Sequence, residues 1–320
     1  MRSLAATLRA GRGLAHKADL QSVLPHLNPG RVRNGDDCAA IPDGDGHLLF
    51  AIEGFVEDFV TADPYFAGYC GVMVNASDVC AMGGRPIAVV DAVWSCGHDR
   101  AAPLLRGLSD AAAIYGIPVV GGHTNLRASS GQLAVAILGR ASALLTSFDA
   151  MPGDVLVAAI DLRGTFRPGT PYWDASTGRA PAELRAALEI LPLLAEAGFC
   201  RAAKDISMAG LAGTALMLAE ASGIGIALDM ERIPLPPGTD LAAWLSAFPS
   251  YGFLLSVRPA HVARVCDAFA AVGVAAAGIG TCNDTRRVTL NTVDGSEVFW
   301  DLCTEDFMNV TVHESTVQDA

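Results

Sequence analysis

The pattern of hydrophobic and polar positions in the first half of the chain predicts alternating strands and helices. Two apolar strands, residues 38–41 and 47–55, are joined by the turn sequence Asp-Gly-Asp-Gly at residues 43–46. The other predicted elements are helices at residues 64–82 and 100–115 and strands at residues 87–94, 117–120 and 132–141. This succession predicts an α+β layer with helices on one face of a sheet.

Pro and Gly at residues 151–154 predict a hinge between two domains, residues 1–150 and residues 151–320. The second half also predicts a succession of strands and helices. Its strands are at residues 155–160, 224–229, 253–257, 274–279 and 287–290, and its helices are at residues 181–197, 208–222 and 260–271. Between them, residues 163–173 form a loop with Arg, Tyr and Trp, which is either a wall of a substrate pocket or a merely mobile connection. The polar tail after Asp306 is expected to fray.

Composition and charge narrow the class of protein. With 51% hydrophobic and 18% charged residues, intrinsic disorder is excluded, and a net charge of -12 argues against nucleic-acid partners. No apolar run reaches the roughly 20 residues of a membrane helix, because Arg140 interrupts the best stretch, residues 132–145. Eight cysteines without a CxxC pair indicate free thiols and a cytoplasmic location. The basic N-terminus lacks a signal-peptide core and is interpreted as a partly ordered arm of the mature protein.

Two segments carry acids with possible metal chemistry. Asp36 and Asp37 are adjacent in a Gly-containing turn, which fits either a solvated turn or the oxygen ligands that Mg²⁺ prefers. Asn75 and Asp78 share one face of a helix that is apolar on nearly every side. A buried Asp78 carboxylate requires a metal, a ligand or an ion pair, and Arg85 just beyond the helix is the alternative partner.

Two further segments carry glycines and the rare lysines. Residues 119–125 predict a strand that opens into a double-glycine turn, which suits a phosphate because backbone N–H groups can approach an anion closely there. Lys204, Asp205 and Ser207 precede an apolar helix, so Asp205 or Ser207 is alternatively only its N-terminal cap. Lys17 and Lys204 are the only lysines of the chain, and no P-loop, GxGxxG, GxSxG or HExxH motif occurs.

Taken in order, the segments GDDCAAI, NASDVCAMGGRP, VVGGHT and KDISMAGLAGTALMLAEASGIGIALDMERIPLP resemble four blocks of one superfamily. Its members are aminoimidazole ribonucleotide (AIR) synthetase, selenophosphate synthetase, thiamine-monophosphate kinase and the hydrogenase-maturation dehydratase. The resemblance covers residues 35–236 and implies a two-domain AIR synthase-like (PurM-like) fold. It also implies a homodimer built on the N-terminal sheets, and ATP with Mg²⁺ in the cleft for phosphorylation of a small-molecule substrate.

The residue analysis and the resemblance together assign three groups of site residues. Metal binding falls to Asp36, Asp37, Glu53, Asp78 and Asp205. ATP or phosphate contacts fall to Asn75, Gly121, Gly122, Thr124, Lys204 and Ser207. Catalytic roles fall to Lys17, His123 and Asp205.

Departures from the family pattern keep two alternatives open. His123 stands where the kinases have an Asp and resembles selenophosphate synthetase, and Met208 replaces a second kinase Asp. Val60 replaces a substrate-contacting His of the kinases, and the Cys- or selenocysteine-rich start of selenophosphate synthetase is absent. The expected function is therefore Mg²⁺- and ATP-dependent activation of a substrate oxygen. The alternatives are a nucleotide-binding regulatory protein that has lost turnover and a kinase of the thiamine-monophosphate kinase type.

Overall fold

A five-stranded sheet occupies the first half of the computed structural model, which describes residues 3–27 and 32–310 of the chain. Its strands are β1 (Ala39–Asp43), β2 (Gly46–Phe55), β3 (Arg85–Cys96), β4 (Val119–Asn125) and β5 (Arg127–Ala141). They lie in the order β1-β2-β5-β3-β4, and only β3 and β4 run parallel. The accompanying helices are α4 (Glu57–Ala62), α5 (Pro64–Ala81) and α6 (His98–Tyr115). The predicted α+β layer is confirmed, because one face of this sheet packs on α5 and α6.

The alternation of side chains along β2 shows that the other face of this sheet is open. Leu49 is fully buried, whereas Phe50 is 50% and Ile52 65% exposed. Pairing places Ile52, Ala136, Val90 and Gly121 side by side across four strands. The outer face is therefore apolar and uncovered in the single chain.

A seven-stranded sheet forms the centre of the second half. Its strands are β6 (Val155–Ile160), β9 (Ala202–Asp205), β10 (Gly225–Asp229), β11 (Gly252–Val257), β12 (Ala275–Asn283), β13 (Arg287–Thr292) and β14 (Gly295–Asp301), in the order β14-β13-β10-β12-β6-β11-β9. A small separate ribbon pairs β7 (Thr165–Phe166) with β8 (Trp173–Asp174). The helices are α7 (Pro181–Glu196), α8 (Gly210–Ser222), α9 (Leu241–Leu245) and α10 (Val262–Ala270). Both faces of this sheet are covered, since Leu156 packs into the core with α8 and Val157 into the core with α7 and α10.

The apolar side chains of the N-terminal arm pack against the unit built on the seven-stranded sheet. It contains α1 (Leu4–Arg9), α2 (Arg12–Ala18) and α3 (Leu20–Val23), and its Leu8 and Leu14 share a core with Leu211 and Phe299. A Cβ atom at Gly13 would lie 2.0 Å from the carbonyl oxygen of Met208, so only glycine permits this approach of α2. The division into domains of residues 1–150 and 151–320 stays a prediction.

The double glycine forms part of a strand and not the predicted turn. Gly121 and Gly122 lie within β4, paired with Val90 and Asp91, and neither has a positive φ. A Cβ atom at Gly122 would lie 2.6 Å from the carbonyl oxygen of Asp91, so this glycine permits close strand packing. The predicted turn is wrong at this position, whereas a phosphate contact by these glycines stays a prediction.

The segment after Asp306 is also better ordered than predicted, as far as residue 310. Phe307 and Met308 are fully buried, and the carboxylate of Glu220 accepts hydrogen bonds from the backbone N–H groups of residues 307, 308 and 309 at 2.6, 2.7 and 3.2 Å. Residues 311–320 lie outside the described residues. Glu220 on α8 therefore anchors the C-terminal segment.

Replacing Glu220 by Gln is expected to lower the free energy of unfolding by about 1.5–3 kcal/mol, the typical contribution of hydrogen bonds to a charged group. The glutamine Nε2 atom cannot accept from a backbone N–H group, so at least one bond is lost. Urea unfolding measures the change, and the exposed Glu57→Gln serves as the matched control. Equal stability of the two variants would contradict this anchoring role.

We call the five-stranded sheet with its helices the first sheet unit and the seven-stranded sheet with its helices the second sheet unit. Two arginine clusters join these two sheet units. Arg85 at the start of β3 donates to Glu189 and Glu196 on α7, with shortest distances of 2.6 Å in both cases. Arg167 bridges Asp63, which caps α5, and Asp174 on β8. The alternative partnership of Arg85 with Asp78 is therefore wrong.

Within residues 3–27 and 32–310, no helix has the length and apolar character needed to cross a membrane.

Candidate active site

Three carboxylates from separate parts of the fold converge between the two sheet units. Asp37 lies in the loop before β1, Asp78 in the last turn of α5, and Asp205 at the end of β9. One oxygen of each lies within 4.8 Å of the other two. We call Asp37, Asp78 and Asp205 the acidic cluster.

The environment of the acidic cluster opposes three negative charges. Burial, followed by the Asp205 carboxylate, raises the pKa of Asp78 well above its ordinary value. Burial, followed by the Asp37 carboxylate, raises the pKa of Asp205 from 3.8 to about 8. Among the described residues, Asp78 Oδ2 and Asp205 Oδ2 are buried without any hydrogen-bond partner. Such oxygens are costly unless a cation joins them.

The donor set fits a hard divalent cation. The acidic cluster offers several carboxylate oxygens and no sulfur or imidazole ligand, which is the chemistry that Mg²⁺ prefers. Asp205 is not the cap of α8, because Ala209 occupies that position without a side-chain bond. Ser207 is not a cap either, and its Oγ atom is buried without a partner in the described structure. The capping alternatives for Asp205 and Ser207 are therefore wrong.

Lys204 supplies one positive charge inside the site. Its side chain is 2% exposed, and its Nζ atom forms an ion pair with Asp37 Oδ1. Burial acts to lower the pKa of Lys204, but the Asp37 and Asp36 carboxylates outweigh it and hold the pKa above its ordinary value. The ammonium group is therefore charged and compensates part of the cluster.

Asp36 has a different environment from its neighbour. Ser147 donates to it twice, from Oγ to Oδ1 at 2.6 Å and from N to Oδ2 at 2.9 Å. Burial, followed by the Asp37 carboxylate, raises the pKa of Asp36 to about 6. Asp36 is not one of the three acids whose oxygens converge, so a direct metal contact of Asp36 stays a prediction. Ser147 was missed because nothing in its sequence surroundings indicates a site.

The acidic cluster opens into a cavity of about 350 Å³, which we call the acidic cavity. Among its lining residues are Lys17 on α2, Glu53 on β2 and Ser207 before α8. Burial raises the pKa of Glu53, and the charge of Lys17 opposes this shift. The structure thus gathers eight of the predicted residues at one cavity, namely Lys17, Asp36, Asp37, Glu53, Asp78, Lys204, Asp205 and Ser207.

The remaining predicted residues lie elsewhere. Asn75 donates from Nδ2 to the carbonyl oxygens of Gly71 and Val135, at 2.8 and 3.0 Å, and thereby ties α5 to β5. Gly121, Gly122, His123 and Thr124 are exposed along β4 and do not line the acidic cavity. A phosphate contact by Asn75 and a catalytic role for His123 in its own chain's cavity are not supported by these positions.

Aromatic residues of the cavity wall were largely missed by sequence reasoning. Phe59, Tyr172 and Phe248 line the acidic cavity, with ring centroids 4.8 Å apart for Phe59 and Tyr172 and 5.1 Å for Tyr172 and Phe248. Tyr172 belongs to the loop predicted as a pocket wall, whereas Arg163 and Arg167 of that loop form ion pairs. The loop therefore contributes one aromatic ring and not its arginines.

Stability at different pH values can test the raised pKa of Asp205. Between pH 4 and 8 the unfolded carboxyl group releases its proton while the folded one retains it, so this group's contribution to stability falls as pH rises through that window. In the absence of metal, wild type should therefore lose stability relative to Asp205→Asn as pH rises. Urea unfolding of both proteins in EDTA measures the difference, and a difference independent of pH contradicts the prediction.

Comparison with known proteins places the chain among relatives of similar architecture. The family model "AIR synthase related protein, N-terminal domain" matches residues 35–141, and the corresponding C-terminal domain matches residues 162–292. An uncharacterised protein of Synechocystis sp. is 48% identical over 91% of this chain and 92% of its own length. Thiamine-monophosphate kinase of Pyrococcus abyssi is 30% identical over 63% of this chain and 67% of its own. The structure of Thermotoga maritima PurL complexed with ATP superposes with a TM-score of 0.75 at 19% identity, over 92% of this chain and 50% of that one.

Proposed function

Since the chain belongs to the AIR synthase related family, we propose that it is an Mg²⁺- and ATP-dependent enzyme that activates an oxygen of a small molecule by phosphorylation. The observation that carries this proposal is the acidic cluster, with two partnerless buried oxygens beside Lys17 and Lys204 in one cavity. Acids alone would repel a triphosphate, whereas acids that hold a divalent cation attract it. The two-domain AIR synthase-like fold and the ATP-complexed neighbour PurL agree with this assignment.

Different residues of the acidic cavity are suited to different roles in the proposed reaction. Asp37, Asp78 and Asp205 would hold Mg²⁺, and Glu53 lines the same cavity. When bound, the cation neutralises negative charge on the phosphate oxygens. Lys204 is held by Asp37 within the cluster, so the ammonium of Lys17, on a flexible four-carbon side chain, is the better candidate to contact the transferred phosphoryl group. The buried hydroxyl of Ser207 is free to donate to a phosphate oxygen.

The reaction consistent with this site is a single phosphoryl transfer. The acceptor oxygen forms a bond to the γ-phosphorus while the bond to the β–γ bridging oxygen breaks, and ADP leaves with that electron pair. The proton of a hydroxyl acceptor passes to solvent. Catalysis of this kind depends on positioning and charge stabilisation more than on a covalent protein group.

Binding and turnover measured together test the proposal. Calorimetry with the non-hydrolysable analogue AMP-PCP should show binding with Mg²⁺ and none in EDTA. ADP release should then increase with one member of a panel of hydroxyl and carboxyl acceptors that includes thiamine monophosphate, because a thiamine-monophosphate kinase is among the relatives. Binding without ADP release for any acceptor would favour the alternative of a nucleotide-binding regulatory protein. No Mg²⁺-dependent binding would remove both.

The apolar outer face of the five-stranded sheet supports a homodimer as part of this proposal. An uncovered apolar sheet face favours association with another chain. A twofold-symmetric dimer buries this face of both copies at once. Gly121 and His123 would then lie at the subunit interface, since Gly121 shares the row that contains Ile52 and Val90. A phosphate-binding role for residues 121–124 therefore requires a contribution across that interface.

Replacing Phe50 by Glu is expected to convert a micromolar dimer into a monomer, because each interface would bury two new charges. Val298→Glu is the matched control, since Val298 is 49% exposed on the other sheet and Phe50 is 50% exposed. Sedimentation equilibrium of wild type and both variants measures the association. A monomeric wild type, or an equal effect of the control, would contradict a dimer through this face.

A further inference from the structure

A second cavity, of about 340 Å³, lies beside the acidic cavity and is called here the arm cavity. The N-terminal arm provides one side of it through Arg12, Leu14 and His16. Phe59, Tyr172 and Phe248 line both cavities, so one aromatic wall separates them. A molecule in the arm cavity would therefore have one end next to the site proposed for the triphosphate.

The chemistry of the arm cavity differs from that of its neighbour. Its walls are mainly apolar and aromatic, and the three rings that line it contact one another in edge or tilted arrangements. Planar aromatic molecules pack well against such surfaces. Pockets of this kind take their specificity from a few polar groups at defined positions.

The polar groups of the arm cavity favour an anion. Arg12 and His16 lie one helical turn apart, and Arg12 Nε donates a hydrogen bond to His16 Nε2 at 3.4 Å. Among the described lining residues Asp58 is the one acid, and its pair with Arg12 is long at 3.9 Å, with side chains 71% and 86% exposed. Exposed ion pairs of this length contribute little, so Arg12 is available to a ligand. Its planar guanidinium suits a carboxylate, sulfonate or phosphate group.

We propose that the arm cavity binds the acceptor substrate and that this acceptor is a planar aromatic molecule with an anionic group held by Arg12 and His16. The inference rests on the proposed function only in assigning the acceptor role. The binding preference itself follows from the Arg12 guanidinium, the His16 imidazole beside it, the shared aromatic wall and the separation from the acidic cluster. Opposite ends of the acceptor would then face Arg12 and the acidic cavity.

Two fluorescent probes that differ in one charged group test the preference. These are 1-anilinonaphthalene-8-sulfonate and the neutral N-phenyl-1-naphthylamine. Arg12→Gln should weaken the sulfonate about tenfold, the effect of one charge-assisted hydrogen bond, and leave the neutral probe unchanged. Asp58→Asn should strengthen the sulfonate, because it removes the competing carboxylate. Arg100→Gln and Asp99→Asn make the same charge changes at exposed positions on α6 and should alter neither affinity.

Saturating Mg²⁺ and AMP-PCP separate the two cavities in the same titrations. Sulfonate binding that persists with the nucleotide present supports the inference, and displacement by the nucleotide overturns it. Absence of sulfonate binding, or equal effects of Arg12→Gln and Arg100→Gln, overturns it as well. These readouts need no turnover, so failure of the proposed phosphorylation leaves the aromatic-anion site intact, while failure here leaves the phosphorylation proposal standing.

Discussion

Asp78→Asn is expected to weaken Mg²⁺-dependent AMP-PCP binding at least tenfold while the metal-free protein keeps or gains stability. The substitution preserves shape and removes one negative charge from the acidic cluster. Loss of even an outer partner of a metal ligand costs roughly 10–100-fold in affinity, so loss of a ligand charge should cost no less. Stability should not fall, because burial opposes the ionised form of Asp78 and Asp78 Oδ2 has no hydrogen bond to lose within the described structure.

Thermal unfolding and calorimetry measure these two effects. The metal-free melting temperature reports the structural contribution, and the increase on addition of Mg²⁺ and AMP-PCP reports ligand binding. Asp91→Asn is the matched control, since Asp91 is a half-buried acid on β3 outside the acidic cavity and should not alter the ligand-induced increase. A large drop in the metal-free melting temperature with an unchanged increase would make Asp78 a structural residue.

Lys204→Met is expected to destabilise the metal-free protein by about 3–5 kcal/mol near neutral pH, the usual cost of removing one partner from a buried ion pair. Lys204 is 2% exposed and Asp37 6% exposed, so water cannot replace the missing ammonium. Asp36 and Asp205 also lose a compensating charge, because Lys204 acts to lower the pKa of both. The variant should recover much of its stability with Mg²⁺, which supplies positive charge at the same carboxylates.

Urea unfolding with two comparison variants identifies the cause of this loss. The double variant Lys204→Met with Asp37→Asn should recover a large part of the stability, because the orphaned charge is then gone. Arg85→Met removes a cation whose partners are about 34–43% exposed, and pairs of that kind contribute only about 0–1 kcal/mol each. Equal losses for Lys204→Met and Arg85→Met would show that burial of the Lys204 pair is unimportant.

Local patterns predicted most of the fold because each depends on neighbouring residues. The alternation of residues 47–55 specified β2, and the apolar run with Gly83 and Gly84 specified α5. Strand β9 was missed because its four residues, Ala202–Asp205, are too few for a period and precede a helix. The position of the N-terminal arm depends on contacts between distant residues such as Gly13 and Met208, which no local pattern contains.

Candidate site residues were likewise predictable from sequence where a local pattern marks them. Acids and lysines at unusual positions, such as Asp78 in an apolar helix, indicated the cluster directly. Gly121 and Gly122 were misread because glycine serves both tight turns and close strand packing, and only the pairing with β3 distinguishes them. Ser147 has no local signal, since its contact with Asp36 joins residues 111 positions apart.

The division of the acidic cluster between the two sheet units has a thermodynamic consequence. Asp37 and Asp78 belong to the first unit and Asp205 to the second, so a cation that binds all three must also favour docking of the units. Linkage is reciprocal, and whatever strengthens docking must strengthen cation binding by the same factor. Substitutions at Arg85 or Arg167, which join the same units without lining the acidic cavity, would therefore alter metal affinity through the domain interface. An affinity for Mg²⁺ at this site would in this sense be a property of the domain arrangement as much as of the three carboxylates.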